Sequence, residues 1–223
     1  MKPLICVAVT ARDTEQTLTQ VRGLSSPDII EIRFDYCVEP IDPRWIRDAA
    51  DAPLIATNRP AYQGGFSKEA DEKRLGKLYE ACEAGFDYAD VELAAPSIGD
   101  AVEHMHDLGS KCILSHHDFE ATPTLEELNR LNERAEYLGA DIVKLVGTAN
   151  GYGDNLVYLA YLSGKPGNVS FGMGLHGVLS RVLSPLMGGA FTYASTVEGE
   201  ESAPGQLTLQ KMRELYESMG VGR

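Results

Sequence analysis

A chain of 223 residues with 43% apolar and 24% charged side chains can bury a substantial core in one large domain under an ordinary water-facing surface. Its formal net charge of −13 argues against a nucleic-acid partner, because such binders carry a basic patch or stripe. That global charge does not bar a small anionic ligand, since locally placed arginines override it.

The first apolar run, ICVAVTA (5–11), soon meets Arg12 and Asp13. It is too short for a signal peptide or a membrane span, so it is read as a first core strand with no membrane partner. Seven further β-branched runs follow: 29–36, 54–59, 88–93, 111–119, 141–148, 168–174 and 191–195. Amphipathic helical patterns alternate with them around 13–23, 43–50, 68–84, 97–108, 124–138, 152–162, 178–187 and 205–219. Gly85, Gly109 and Gly139 each stand between a helix and a strand, where a left-handed residue stops the helix. Thr124 and Glu127 have the spacing of a capping box for the helix after the fifth strand.

Strands alternating with helices imply parallel pairing through right-handed crossovers, and eight such units close most naturally into a (β/α)8 barrel. The open doubly wound sheet is the rival architecture. Its glycine-rich phosphate loop is missing after the first strand, where the sequence reads TARDTEQ. With no linker or low-complexity tract, residues 1–223 are expected to form one catalytic domain. The scattered cysteines, Cys6, Cys37, Cys82 and Cys112, show no paired metal-ligand spacing. They are expected to be reduced thiols in an intracellular protein.

Charge inside barrel strands is costly, so its placement is informative. Glu31, Arg33 and Asp35 share one face of the second strand by period-two alternation. A half-exposed strand with a polar face would explain them blandly. Lys144, alone in the apolar run DIVKLVGT, is harder to dismiss. Strand lysines often guard a sheet edge, but a closed barrel has none. In an apolar, partly dry cavity the charged form of an amine is disfavoured, which suits a nucleophile that condenses with a ketone. Of the adjacent His116 and His117, only one can share the interior with Lys144 and act as a proton shuttle. Arg59 ends the third strand and Arg181 follows GMGLHGVLS, where an ordinary surface ion pair is the alternative reading for either. Arg33, Arg59, His117, Lys144 and Met173 all fall in the C-terminal halves of different strands, the end at which barrel enzymes gather their chemistry.

These residues sit in EIRFD (31–35), TNR (57–59) with GG (64–65), DVEL (90–93), HDFEATP (117–123), DIVK (141–144), SR (180–181) with MGG (187–189), and SAPGQ (202–206). In order and spacing the set resembles the type I 3-dehydroquinate dehydratases, from the second strand to the last helix. The resemblance implies a hydro-lyase of the shikimate pathway that removes water from 3-dehydroquinate by syn elimination, with no metal or nicotinamide cofactor. It implies that Lys144 forms an iminium with the C3 ketone. His117 then takes the C2 proton and returns it to the departing C1 hydroxyl. Arg181 would hold the ring carboxylate, and Glu31, Arg33 and Arg59 would contact the ring hydroxyls and the carboxylate rim. Ser202 and Gln206 would close over the substrate. A homodimer in the cytoplasm is implied as well. Two departures stand out. Gln63 replaces the family's frequent Glu before the glycine pair, and Phe171 with Met173 stands where many members have two methionines. A Schiff-base aldolase barrel and a non-catalytic ligand-binding barrel are the alternative readings.

Overall fold

The computed structural model describes residues 2–221. Eight parallel strands appear at the expected places: β1 Ile5–Val9, β2 Ile29–Arg33, β3 Leu54–Thr57, β4 Tyr88–Glu92, β5 Lys111–Asp118, β6 Ile142–Thr148, β7 Val169–Met173 and β8 Thr192–Ser195. Between and after them run α1 Thr14–Gly23, α2 Pro43–Ala49, α3 Asp71–Glu83, α4 Ile98–Asp107, α5 Leu125–Tyr137, α6 Asn155–Gly164, α7 Val178–Leu183 and α8 Leu209–Ser218. One cluster of buried apolar residues packs the outer face of the strands against the helices, among them Ile32, Leu78, Val91 and Leu145. A second fills the interior with side chains of opposite strands, including Cys6, Ile55, Ile113, Val169 and Phe191. Residues from both sides of the cylinder meeting at its axis define the (β/α)8 barrel.

Local signals explain the boundaries. Gly85, Gly109 and Gly139 all have φ near +90°. Each donates to the carbonyl three residues back while the next residue bonds the carbonyl five back, as Gly85 does to Cys82 (2.9 Å) and Phe86 to Ala81 (3.1 Å). Thr124 and Glu127 form the reciprocal capping box. The four thiols are free, and Cys37 is only half-buried.

Several elements differ from the sequence expectation. The second and third strands stop at Arg33 and Thr57, so Asp35 enters a 3-10 turn and Arg59 lies beyond its ladder. The helix expected over 178–187 changes to a 3-10 turn at Ser184–Met187, where Pro185 supplies no amide hydrogen. The helix expected from 205 begins at Leu209, because Leu207–Thr208 form a ninth strand, β9.

That short strand matters for closure. The ladder runs β7-β6-β5-β4-β3-β2-β1-β8-β9, so β9 takes the edge of β8 that faces β7. Just before it, the Pro204 carbonyl accepts from Gly174 at the end of β7 (3.1 Å). Gly205, at φ +76°, has its missing Cβ 2.3 Å from the Gly174 oxygen, so only glycine allows this approach. The segment 202–208 therefore stitches β7 to β8 at the C-terminal rim. Lower in the seam the inward rings of Phe171 and Tyr193 meet edge-on, 6.1 Å apart.

At the opposite end, acidic residues before even strands cap the preceding odd strands. Asp28 accepts from Ile5 N, Asp87 from Leu54 N and Asp141 from Cys112 N, at 2.8–3.1 Å. Each carboxylate also meets a basic side chain, from Lys2, Arg47 and His106 in turn. These caps fix the barrel base and leave the rim free for chemistry.

Candidate active site

The rim opens into a cleft of about 510 Å³, solvent at its mouth included, lined by Glu31, Arg33, Arg59, His117, Lys144, Arg181, Ser202 and Gln206 together. Gln63, Phe119, Phe171, Met173 and Tyr193 complete much of its wall. His116 is not among the lining residues. Pairing of Ser115 with Lys144 and of His117 with Val146 explains why: interior positions alternate along β5, and His116 points away.

Each side chain is placed by local structure. Arg181 lies in α7 and is pinned from two sides. Gly172 N on β7 donates to Ser180 Oγ (2.9 Å), and Thr192 Oγ1 on β8 donates to the Arg181 carbonyl (2.6 Å). Arg33 forms a two-point pair with Asp35 (2.9 and 2.8 Å), and Asp35 also takes the Phe66 amide (3.1 Å), which ties the glycine-containing loop to the rim. Gln206 Oε1 accepts from both the amide and the hydroxyl of Ser202 (2.8 and 3.2 Å), so these two residues brace one another. Gln63 meets His117 through the backbone, accepting its amide at 3.2 Å, while the imidazole Nδ1 is enclosed without a partner.

Lys144, the third of seven residues in β6, lies deeper than the C-terminal half expected of it, and its surroundings differ from the apolar cavity expected of its strand. Its Nζ lies 2.9 Å from Asp90 Oδ2, 3.0 Å from Tyr193 Oη and 3.7 Å from Glu31 Oε1. Asp90 is a hub, also bonded to Ser115 Oγ (2.6 Å) and Arg59 Nη2 (2.8 Å). Burial alone would raise its pKa, but Arg59 and Lys144 outweigh that and hold the carboxyl well below its usual range. Glu92 bridges Arg59 and Arg74, 2.7 Å from each. Burial pushes Glu92 upward, and the two guanidinium groups oppose it.

All the buried charged side chains among the described residues belong to this region. Four buried carboxylates (Glu31, Asp35, Asp90, Glu92) face five buried cations (Arg33, Arg59, Arg74, Lys144, Arg181), and the part-buried Asp71 adds a fifth acid, 2.9 Å from Arg74. Among the described residues Arg181 is the buried cation with no acidic partner. It is 1% exposed, its Nε and Nη2 have no hydrogen-bond partner, and its guanidinium stacks 4.3 Å from the Phe171 ring. Desolvation lowers its pKa to about 10, so it stays charged at neutral pH. A buried guanidinium with two unpaired donors is suited to a planar anion, above all a carboxylate.

His117 is pressed in the opposite sense from an acid. Burial first, then the positive charges of Arg59 and Lys144, lowers its pKa well below the ordinary imidazole value. It is therefore neutral at working pH and able to accept a proton beside the lysine. The sequence reading passed over Asp90, Glu92, Ser115 and Tyr193. The first two were detectable, since the alternation in DVEL puts two acids on one face of a barrel strand, as in β2. Tyr193 carries no such signal, because an aromatic residue in FTYAS reads as core.

A barrel whose rim joins a lysine, a neutral histidine and an unpaired arginine defines the class: a barrel enzyme with a cleft suited to an anionic compound. The chain belongs to the type I 3-dehydroquinase family, whose model matches residues 5–223. It is 35% identical over 221 residues to a 3-dehydroquinate dehydratase of Dehalococcoides mccartyi, covering 97% of this chain and 96% of that one. The corresponding protein of Methanocaldococcus jannaschii is 34% identical over 222 residues, covering 98% and 100%. Among solved structures, the 3-dehydroquinate dehydratase of Geobacillus kaustophilus superposes with a TM-score of 0.89 at 25% identity, over 99% of this chain and 92% of that one. A 3-hexulose-6-phosphate synthase matches with a TM-score of 0.62 at 16% identity over 98% and 99%, which speaks for the barrel alone.

Proposed function

We propose that the chain dehydrates 3-dehydroquinate to 3-dehydroshikimate through a Schiff base on Lys144, as a single catalytic barrel domain in the cytoplasm serving the shikimate pathway. The observation that carries this reading is the buried, unpaired guanidinium of Arg181, which the substrate carboxylate neutralises. Lys144 condenses with the ketone. The protonated imine then draws off the charge that develops when the neighbouring C–H ionises. His117, already neutral, takes that proton and returns it to the leaving hydroxyl. Glu31, Arg33 and Arg59 position the ring, and Ser202 and Gln206 cover it. Family membership favours this reaction over an aldolase or a passive binding barrel. Added 3-dehydroquinate should produce the ultraviolet absorbance of a conjugated enone. Its absence from folded protein would sink the proposal.

The histidine assignment has its own test. His117→Ala should still form the imine and then stall, so that borohydride traps more adduct than in the wild type, with turnover reduced about 10²- to 10⁴-fold. His116→Ala should stay near wild type. The reverse pattern would shift the assignment by one residue. Because the neutral imidazole is the working form and its pKa is lowered, activity should fall only as pH drops well below the ordinary histidine range.

A homodimer is part of the same proposal. Tyr152, Leu156, Leu175 and Leu179 are 65%, 69%, 81% and 48% exposed on neighbouring elements around α6 and α7. Such an apolar face is suited to burial against a second copy. Light scattering should give a dimer mass for the wild type and a monomer mass for Leu156→Asp with Leu175→Asp. An unchanged dimer in that variant would remove this face from the interface.

A further inference from the structure

Lys144 must shed a proton before its nitrogen can attack a ketone, and its nearest carboxylate is poorly suited to take it. Asp90 is anchored by Arg59 and Ser115, both of which favour its charged form. A second route leads away from the same nitrogen. Nζ donates to Tyr193 Oη at 3.0 Å, and Oη donates onward to Glu31 Oε1 at 3.5 Å. Glu31 Oε1 accepts one further bond, from Thr57 Oγ1 (2.8 Å). Among the rim carboxylates of the described residues, Glu31 has no guanidinium in ion-pair contact: Asp35 is held by Arg33, Asp90 by Arg59, and Glu92 by Arg59 and Arg74. Tyr193 is well fixed for passing a proton on. It is 4% exposed, packed edge-on against Phe171 and Phe191, with its ring centroid 4.1 Å from Nζ.

We propose that Tyr193 is a catalytic residue whose hydroxyl relays protons between the Lys144 nitrogen and Glu31 during formation of the Schiff base. The proposal rests on the Schiff-base reading above and adds a step to it. In the forward direction an N–H bond of the ammonium breaks as an O–H bond to Tyr193 forms. The original tyrosine proton passes to Glu31, leaving a neutral amine and a carboxylic acid. The nitrogen lone pair forms the N–C bond, the carbonyl π pair moves to oxygen, and that oxygen takes the proton back from Glu31. A second passage removes a proton from the new N–C nitrogen and delivers it to the carbinolamine hydroxyl, which leaves as water. The net change is ammonium plus ketone to protonated imine plus water, with Tyr193 and Glu31 ending as they began. Burial and the charge of Glu31 push the phenol pKa well up, so Tyr193 remains an intact O–H between transfers.

Tyr193→Phe keeps the ring and its packing and removes only the relaying oxygen. The decisive measurement is the rate at which borohydride-trappable adduct appears on Lys144 in a single turnover with 3-dehydroquinate. It is made in a His117→Ala background so that the imine accumulates. The phenylalanine variant should form the adduct about a hundredfold more slowly, to the same final yield. Rates within twofold of each other would overturn the relay. If the variant fails to fold, Glu31→Gln tests the other end of the path: it should slow the same step, and an unchanged rate would overturn the relay equally. A parent protein that never yields an adduct overturns the Schiff-base reading instead, so the two failures are distinguishable.

Discussion

Lys144→Ala should yield no borohydride adduct and lose at least about three orders of magnitude in turnover while the barrel still folds. In the proposed reaction the amine is the one covalent participant, and no other side chain of the cleft is placed to replace it. Arg59 already occupies Asp90 and Glu92 and is held protonated by both, after offsetting the cost of its own burial. The structural cost should be moderate. Asp90 keeps Arg59 and Ser115 as partners, and Glu31 keeps the hydroxyls of Thr57 and Tyr193. The two charged hydrogen bonds lost, to Asp90 and Tyr193, are offset in part by relief of the buried ammonium, leaving a cost of roughly 1–3 kcal/mol of stability. Retention of more than about a tenth of wild-type turnover, in protein shown by mass spectrometry to carry alanine, would end the covalent mechanism.

Arg181→Met should separate binding from folding by moving them in opposite directions. In the free protein the guanidinium is buried and lacks partners on Nε and Nη2, which disfavours the folded state. Methionine fills similar space against Phe171 without the charge. The variant should melt a few degrees higher, given about 2–4 °C per kcal/mol for a domain of this size. Against the substrate the same change removes two charge-assisted hydrogen bonds to the carboxylate. At roughly 1.5–3 kcal/mol each, kcat/KM should fall about 10²- to 10⁴-fold. A variant that melts lower, or that keeps its kcat/KM, would show that Arg181 is paired in a way the free cleft does not display. Stability surrendered at a binding site in this fashion is a common trade.

Much of the architecture was legible because the barrel repeats one pattern. Apolar β-branched runs, helix-stopping glycines and a capping box each act locally, and each did so here. Strand ends were less legible. Ile29–Tyr36 reads as one alternating run, yet the chain turns after Arg33, where the Arg33–Asp35 pair folds two successive same-face residues onto each other. β9 was hidden altogether, because a two-residue strand has no periodicity. It exists through its pairing with Ala194 and Ser195. At the site, period-two reasoning brought out Glu31 and Arg33, and the isolated charge brought out Lys144. What sequence could not supply was the company that Lys144 keeps. Asp90, Glu31 and Tyr193 come from three other strands, and only closure of the cylinder brings them to one nitrogen.

The stretch bearing Ser202 and Gln206 is also the caulking of the β7–β8 seam. Swinging it outward to admit a molecule strips the β9 rung from β8 and the Pro204 link from Gly174 in one motion. The mouth and the joint of the cylinder are thus mechanically one part. Heat should soften the molecule from this end first, since the base is riveted by its row of acid caps. A ligand that draws Gln206 inward acts as a hoop around the staves, and its stiffening should reach β7 and β8 well below the atoms it touches.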